Sequence, residues 1–275
     1  MLGLIISLSL RWLIAFVHLE PVYLCLPIIL TGFIPCAFRW GLFRKEHQFD
    51  SIKLKHKIKY MKYLLVAGLT FVVSTISVAI YTRVSMLSLG FFYDKSIVGV
   101  FSIAVSLAAS WSFVCNSLIT SSLPSIFSEK NDNVATHKAS KLNLLVVIIS
   151  LPIILSTYAF GSMIINALYG EAYSAAYIPL MILSFSTMIS SLGVISSRFI
   201  ARYSGYAFLS KKMFAILIFS LAVNIPFIYM YGMCGAAAAT LLTELFSLTV
   251  FNYLFRRGLV LKMHLQTFIP RAGNR

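Results

Sequence analysis

The sequence predicts an all-α, polytopic helical membrane protein of about eight transmembrane helices, and three observations carry that prediction. Hydrophobic residues make up 59% of the chain. Charged residues make up 11%, well below the ~25% usual in soluble domains. Uncharged runs recur along the whole length: Tyr63–Thr82 (20 residues), Ser96–Ser128 (33), Leu142–Gly170 (29), Ala172–Ser197 (26) and Met213–Thr243 (31). A helix needs about 20 apolar residues to cross hydrocarbon, and five such runs exceed what one soluble core holds.

Taken in order, the predicted spans are Met1–Val17, Val22–Phe38, Tyr63–Thr82, Ile97–Ile119, Leu142–Leu168, Ala175–Ser196, Met213–Tyr231 and Ala236–Phe255. The first, "MLGLIISLSLRWLIAFVHLE", has no basic residue ahead of its apolar stretch and no small-residue cleavage site. It reads as a span rather than a secretory signal. The last two come from dividing one long run at "YGMCG", where two glycines beside Cys234 suit a tight turn. The outer connectors His18–Pro21, Val84–Ser96, Tyr169–Ser174 and Gly232–Gly235 are short, so no soluble domain is expected between spans.

Charge tests this threading. The segments Arg39–Lys62, Lys130–Lys141, Arg198–Lys212 and the tail from Arg256 all fall on one side and hold 20 of the 23 Lys and Arg. Of the other three, Lys95 lies in an outer connector, Arg11 inside a span and Arg83 at the end of one. Positive residues remain cytoplasmic, so both termini are expected there, in a multi-pass protein of the bacterial cytoplasmic (inner) membrane. The net charge of +15 is then a matter of topology. Nucleic acid is set aside as a partner, and membrane lipids with anionic headgroups are the expected partner of these loops.

The few polar groups inside the spans are the candidate site. An ionised side chain at mid-bilayer costs about 2.5–3.5 kcal/mol and usually faces the bundle interior. Glu244 shares a helix face with Ala236 and Thr240, spaced by four, and small residues on that face permit close helix approach. It reads either as a hydrogen-bonded tie between helices or as a substrate- or ion-binding group. Arg11 interrupts the first span and Arg83 ends the third; Arg83 suits either snorkelling or a phosphate contact, for which a guanidinium fork is well shaped. Ser102, Ser106, Ser110 and Ser117, with Asn116 beside that line, form a polar stripe on the fourth span. The sixth adds Ser184, Ser186, Thr187, Ser190 and Ser191. These hydroxyls suit helix packing or a hydrated cavity. Pro27, Pro35, Pro152, Pro179 and Pro226 fall in apolar runs, where neighbouring helices re-satisfy a broken backbone.

Enzyme chemistry has little support. The five histidines lie in or near predicted loops, and no nucleophile elbow, phosphate loop or metal-ligand motif occurs. The four cysteines have no metal-type spacing. No cofactor and no metal are expected.

Three stretches carry a family resemblance. "YTRVSMLSLGFFYDKSIVGVFSIAVSLAASWSFVCNSLITSSLPSI" resembles the seventh and eighth spans of bacterial O-antigen and polysaccharide repeat-unit flippases. "LYGEAYSAAYIPLMILSFSTMISSLGVISSRFIARYSG" resembles their ninth-to-tenth loop and tenth span, and "YGMCGAAAATLLTE" their eleventh-to-twelfth turn. The superfamily also contains multidrug exporters of the toxic-compound extrusion type and peptidoglycan-precursor flippases. The resemblance implies a carrier with two six-helix lobes around a central cavity, rocking by alternating access. It would flip an undecaprenyl-diphosphate-linked oligosaccharide across the membrane, coupled to proton or sodium entry, beside the polymerase and chain-length proteins of the same pathway.

On that template the eight spans correspond to the fifth through twelfth. Residues 1–38 would be the last two helices of the first lobe, 39–62 a basic cytoplasmic linker, 63–255 the six-helix second lobe and 256–275 a basic cytoplasmic tail. The chain departs from the family by lacking the first four spans, and by having Val84 and Ser85 where members often place an aspartate after the arginine. The alternatives are an integral-membrane enzyme of the same pathway (a repeat-unit polymerase or acyltransferase), a multidrug exporter, or an inactive truncated fragment.

Overall fold

A computed structural model describes residues 2–17, 23, 25–46 and 57–268. It divides into two compact units, Met1–Met61 and Lys62–Arg275. Every regular element among the described residues is helical.

The first unit holds α1 (Leu2–Phe16) and α2 (Cys25–Glu46). They pack on each other, and the buried Ser7 hydroxyl donates to the Pro27 carbonyl at 3.1 Å. That bond satisfies a polar group hydrocarbon cannot solvate. Apart from Ser9 and Arg11, the rest of α1 is apolar, and Trp12 and Phe16 face outward. Of the basic linker predicted at 39–62, residues 39–46 belong to α2 and 57–62 to α3, and residues 47–56 lie outside the described residues.

The second unit contains the remaining helices. The third span is α3 (Lys57–Tyr81), and after a break at Thr82–Arg83 the chain continues as α4 (Val84–Phe92). The segments Thr75–Tyr81 and Val84–Phe92 meet at 43°. The predicted connector at 84–96 is therefore mostly helix, its apolar Val84 and Leu89 buried against the bundle. Next come α5 (Lys95–Ser110) and α6 (Ser112–Phe127), separated only by Trp111. The serine stripe of the fourth span is thus divided between two helical segments.

The long α7 (Asp132–Tyr169) is capped by the Asn131 side chain, which accepts from the Asn133 amide at 2.9 Å. It ends where Gly170 adopts a positive φ of 88°. A 3-10 turn, Glu171–Ala176, leads into α8 (Tyr177–Arg202).

The chain from Tyr206 to Phe251 is 46 residues of helix, more than twice one crossing. Its main part, α9 (Tyr206–Phe246), is a hairpin. Gly232 sits at φ 55°, ψ −130°, a conformation open only to glycine. A Cβ on Gly235 would stand 1.9 Å from the Phe227 carbonyl oxygen. Residues eight apart in a straight helix are separated by about 12 Å, so the backbone has doubled back. The Phe219 and Phe246 rings lie 4.6 Å apart, tilted by 32°, and the Lys212 ammonium donates to Asn252 Oδ1 at 2.7 Å. Arms 206–231 and 233–246 lie side by side, as the sequence split at "YGMCG" implies. A π-helical turn, Ser247–Phe251, follows directly after the second arm.

The segment predicted as a tail holds a further helix, α10 (Leu259–Phe268). It docks through buried Val260 and Met263, and the Ser140 hydroxyl reaches the Met263 carbonyl at 2.7 Å. His264 sits between Ser196 Oγ (3.0 Å) and the Tyr253 hydroxyl (3.1 Å).

Among the described residues, five helices are long and apolar enough to cross a membrane, and six when the bent pair counts as one span. With α1 and the second hairpin arm included, the described residues present eight apolar helical segments. Large side chains such as Phe91, Phe113 and Tyr229 are 74–84% exposed, a surface suited to lipid rather than water. Two apolar clusters fill the second unit. One is built on Leu89, Phe101, Leu180 and Ile228, the other on Cys115, Ile119, Phe199 and Met263. Along α8 they lie at Leu180–Leu183 and at Ile195–Ile200, and the polar side chains lie between them.

Candidate functional site

That polar middle encloses a cavity of about 300 Å³. From α8 it receives Ser186, Thr187, Ser190 and Ser191, from the second hairpin arm Thr240, Thr243 and Glu244. The first arm contributes Ser220, α6 contributes Ser112 and Asn116, and α3 contributes Tyr81. Glu244 lies twelve residues beyond Gly232, about 18 Å along a helix in a membrane core of about 30 Å. The cavity therefore lies partway along the hairpin, well away from its turn.

The hydroxyls are oriented by their own backbones. Thr187 donates to the Leu183 carbonyl (3.0 Å), Ser191 to Thr187 (2.9 Å) and Thr243 to Ala239 (2.8 Å), while Thr240 has both the Ala236 carbonyl and Ser85 Oγ within 2.8 Å of its hydroxyl. A hydroxyl has one proton and two lone pairs. With the protons of Thr187, Ser191 and Thr243 committed to i−4 carbonyls, their free valences are lone pairs. Together with Glu244 they give the wall an excess of acceptors, the complement of a ligand rich in hydroxyl donors.

A second cavity of about 390 Å³ adjoins the first and shares Thr82, Val105, Ala109, Leu183 and Thr240 with it. Its other lining includes Arg83, Ser85 and Ser106. Arg83 is exposed, with Nη1 3.9 Å from Met86 Sδ. The ion pairs found among the described residues are Lys138–Glu129 and Arg202–Asp132, so the Arg83 guanidinium has no carboxylate of a described residue within pairing distance. A hydrogen-bonded pin stands between the two cavities. The buried Ser85 hydroxyl donates to Asn224 Oδ1 at 2.7 Å and lies 2.8 Å from Thr240 Oγ1. Asn224 in turn donates to the Ser220 carbonyl and hydroxyl at 2.8 and 3.1 Å.

Of the residues singled out from sequence, Glu244 and Asn116 line the first cavity, and Arg83 and Ser106 the second. Ser110 lines neither; it is exposed and donates to the Leu107 carbonyl at 2.7 Å. Arg11 is exposed on α1, in the other unit.

Sequence reasoning missed Lys212 and Tyr81. The sequence groups Lys212 with the cytoplasmic cations, yet it is 4% exposed and donates to Asn252 Oδ1, and Tyr81 lines the first cavity together with Glu244. Ser190 is the hydroxyl set against the same carboxyl. A signal for Lys212 was available: Lys212, Ile216, Ser220, Asn224 and Ile228 are spaced by four, and all are buried.

The fold is a multi-pass helical bundle with a polar cavity among its helices. Two solved structures share it. One is a transporter of the MOP superfamily from Pyrococcus furiosus, described with a binding pocket of reversed polarity and a different function. It has TM-score 0.54 and 17% identity, covering 74% of this chain and 50% of that one. The other is a multidrug resistance MATE family transporter of the MOP superfamily, in an outward-facing conformation. It has TM-score 0.53 and 18% identity over the same 74% and 50%. The chain spans about half the length of both. A comparison with curated protein sequences gave no match. The profile of a family described as polysaccharide biosynthesis protein matches residues 1–179, and the chain belongs to that family.

Proposed function

We propose that this protein translocates an undecaprenyl-diphosphate-linked O-antigen or polysaccharide repeat unit across the bacterial cytoplasmic membrane, with both termini cytoplasmic. One observation carries the reading: a hydroxyl-lined, acceptor-rich cavity among the apolar helices adjoins a second cavity that presents the Arg83 guanidinium, unpaired among the described residues. Sugars bring hydroxyl donors to the first wall, and a diphosphate brings the anion for Arg83. Family membership supports polysaccharide biosynthesis as the setting, and the fold supports carriage over catalysis.

The test is restoration of surface polysaccharide in a flippase-null strain. The protein restores it, Arg83→Ala reduces it by about tenfold or more, and Arg83→Lys retains an intermediate level because the charge remains while the fork is lost. Full restoration by Arg83→Ala removes that residue from the mechanism, and no restoration by the unmodified protein refutes the assignment. The competing reading, drug export, draws on Glu244 in the cavity wall. Energy-dependent efflux of cationic dyes by cells expressing the protein would favour it.

A further inference from the structure

Helix α10 has two faces, and the bundle covers one of them. Val260, Met263 and Thr267 are buried, whereas Leu261, Leu265 and Phe268, on the opposite side, are 38%, 55% and 72% exposed. Three contacts with α7 fix its direction. Lys262 Nζ donates to Asn133 Oδ1 at 3.3 Å, Ser140 donates to the Met263 carbonyl at 2.7 Å, and Asn143 Nδ2 donates to Thr267 Oγ1 at 3.5 Å. Residue numbers rise together on both helices, so α10 runs parallel to α7. Lys141 is the last charged residue of α7, and Leu142 opens the uncharged run that continues to Gly170. Thr267 and Phe268 therefore stand level with the join between the charged start of α7 and its apolar length. An outward apolar face at that level suits the boundary between headgroups and acyl chains, where amphipathic helices lie.

The same end of the bundle carries cations without acidic partners. Lys262 and Arg256 are exposed. Lys262 meets the neutral Asn133, and Arg256 donates to the Tyr203 carbonyl at 3.2 Å. Neither belongs to an ion pair among the described residues. Asn133, His137 and Lys141 are spaced by four along α7 and all exposed, so the strip that Lys262 touches ends in another cation. We propose that the outer face of α10 is a binding surface for anionic phospholipids. Leu261, Leu265 and Phe268 enter the acyl boundary, and Lys262, flanked by Lys141 and Arg256, meets the headgroup phosphates. A lysine stem can follow the apolar surface while its ammonium reaches the headgroups. An anionic headgroup brings the net charge that these cations lack, and a zwitterionic one brings none. The surface thus selects among lipids by charge, whatever the cavities carry.

Photo-crosslinking of the full chain in nanodiscs of phosphatidylglycerol and phosphatidylcholine in equal amounts tests this. The photoreactive residue p-benzoyl-phenylalanine replaces Phe268 in one protein and Leu265 in another; both side chains are exposed, so neither change disturbs the packed face. Lipid adducts are expected at both positions. Phosphatidylglycerol should exceed phosphatidylcholine among them by about fivefold, the effect of one cation near an anionic surface. Lys262→Gln should bring that ratio down toward parity, and Lys262→Arg, which keeps the charge, should retain it. Adducts at parity in the parent proteins overturn the proposal, as does a ratio that Lys262→Gln and Lys141→Gln together leave unmoved. Crosslinks to protein instead of lipid, within the chain or to a second copy, overturn it as well, and so does the absence of any adduct at both positions.

Discussion

The pin between the two cavities gives the most quantitative prediction. Ser85 joins α4 to both arms of the hairpin, through Asn224 at 2.7 Å and Thr240 at 2.8 Å. Interhelical hydrogen bonds in membrane proteins average about 0.6 kcal/mol and reach about 1.7 in double-mutant cycles. Ser85→Ala removes two of them, so it should cost about 1 kcal/mol, with an upper bound near 3 kcal/mol. Asn224→Ala removes the bond to Ser85 and the local bonds to Ser220, and should cost more. Because the two residues share one bond, the double variant should be less destabilised than the singles imply, by about 0.6–1.7 kcal/mol. The assay is reversible unfolding of the four proteins in mixed micelles, followed by circular dichroism. Additivity within about 0.3 kcal/mol would show that the bond contributes nothing, and the account of how the cavity wall is held would fall with it.

Three further outcomes follow from the same geometry. Gly235→Ala should prevent the hairpin from closing, because its Cβ would meet the Phe227 carbonyl oxygen at 1.9 Å and backbone cannot step aside cheaply; normal yield and melting temperature would refute the hairpin. Met263→Ala should loosen α10 by about 2–5 kcal/mol, the range for fully buried large-to-small changes at a side chain with no exposed surface, and limited proteolysis would then release the C-terminal segment faster. His264 should make α10 sensitive to acid. Ser196 donates to the Leu192 carbonyl, so its oxygen accepts from the imidazole, and Tyr253 donates to the other ring nitrogen; this arrangement suits only the neutral ring. Burial pushes the His264 imidazole down to about 4. The unfolded ring takes up its proton near 6.5, so stability is full above that pH and declines as pH falls toward 4, by at most about 3 kcal/mol. Thermal melts of the protein and of His264→Gln across this range should converge on acidification, and parallel curves would contradict the assignment.

Much of this architecture was legible because hydrocarbon imposes a simple requirement: an apolar length sufficient to cross it. The runs around α5–α8 and the "YGMCG" turn show that requirement directly. The same simplicity explains what was hidden. Val84–Phe92 is apolar and short, so length alone assigns it to a connector, whereas tertiary packing makes it helix. Lys212 follows Lys211 in a basic pair, and a tally of charge by segment cannot tell a solvated lysine from one buried on the Ser220–Asn224 face. Glu244 and Asn116 could be named from their residue types, since each is an exception within an apolar run. Their sharing of one cavity with Ser220 depends on hairpin register, which no local pattern in the chain encodes. Ser110 lines neither cavity for a different reason: its spacing matches Ser106, but the helical segment ends there and Trp111 intervenes.

The central claim is that the polar interior of this bundle carries a lipid-linked oligosaccharide through the membrane. Its most direct test is the rate at which a fluorescent undecaprenyl-diphosphate oligosaccharide becomes accessible to an external quencher in vesicles containing the protein. We predict a rate well above that of protein-free vesicles, reduced at least about tenfold, or ~1.4 kcal/mol of barrier, by Arg83→Ala. A rate equal to that of protein-free vesicles would contradict the account.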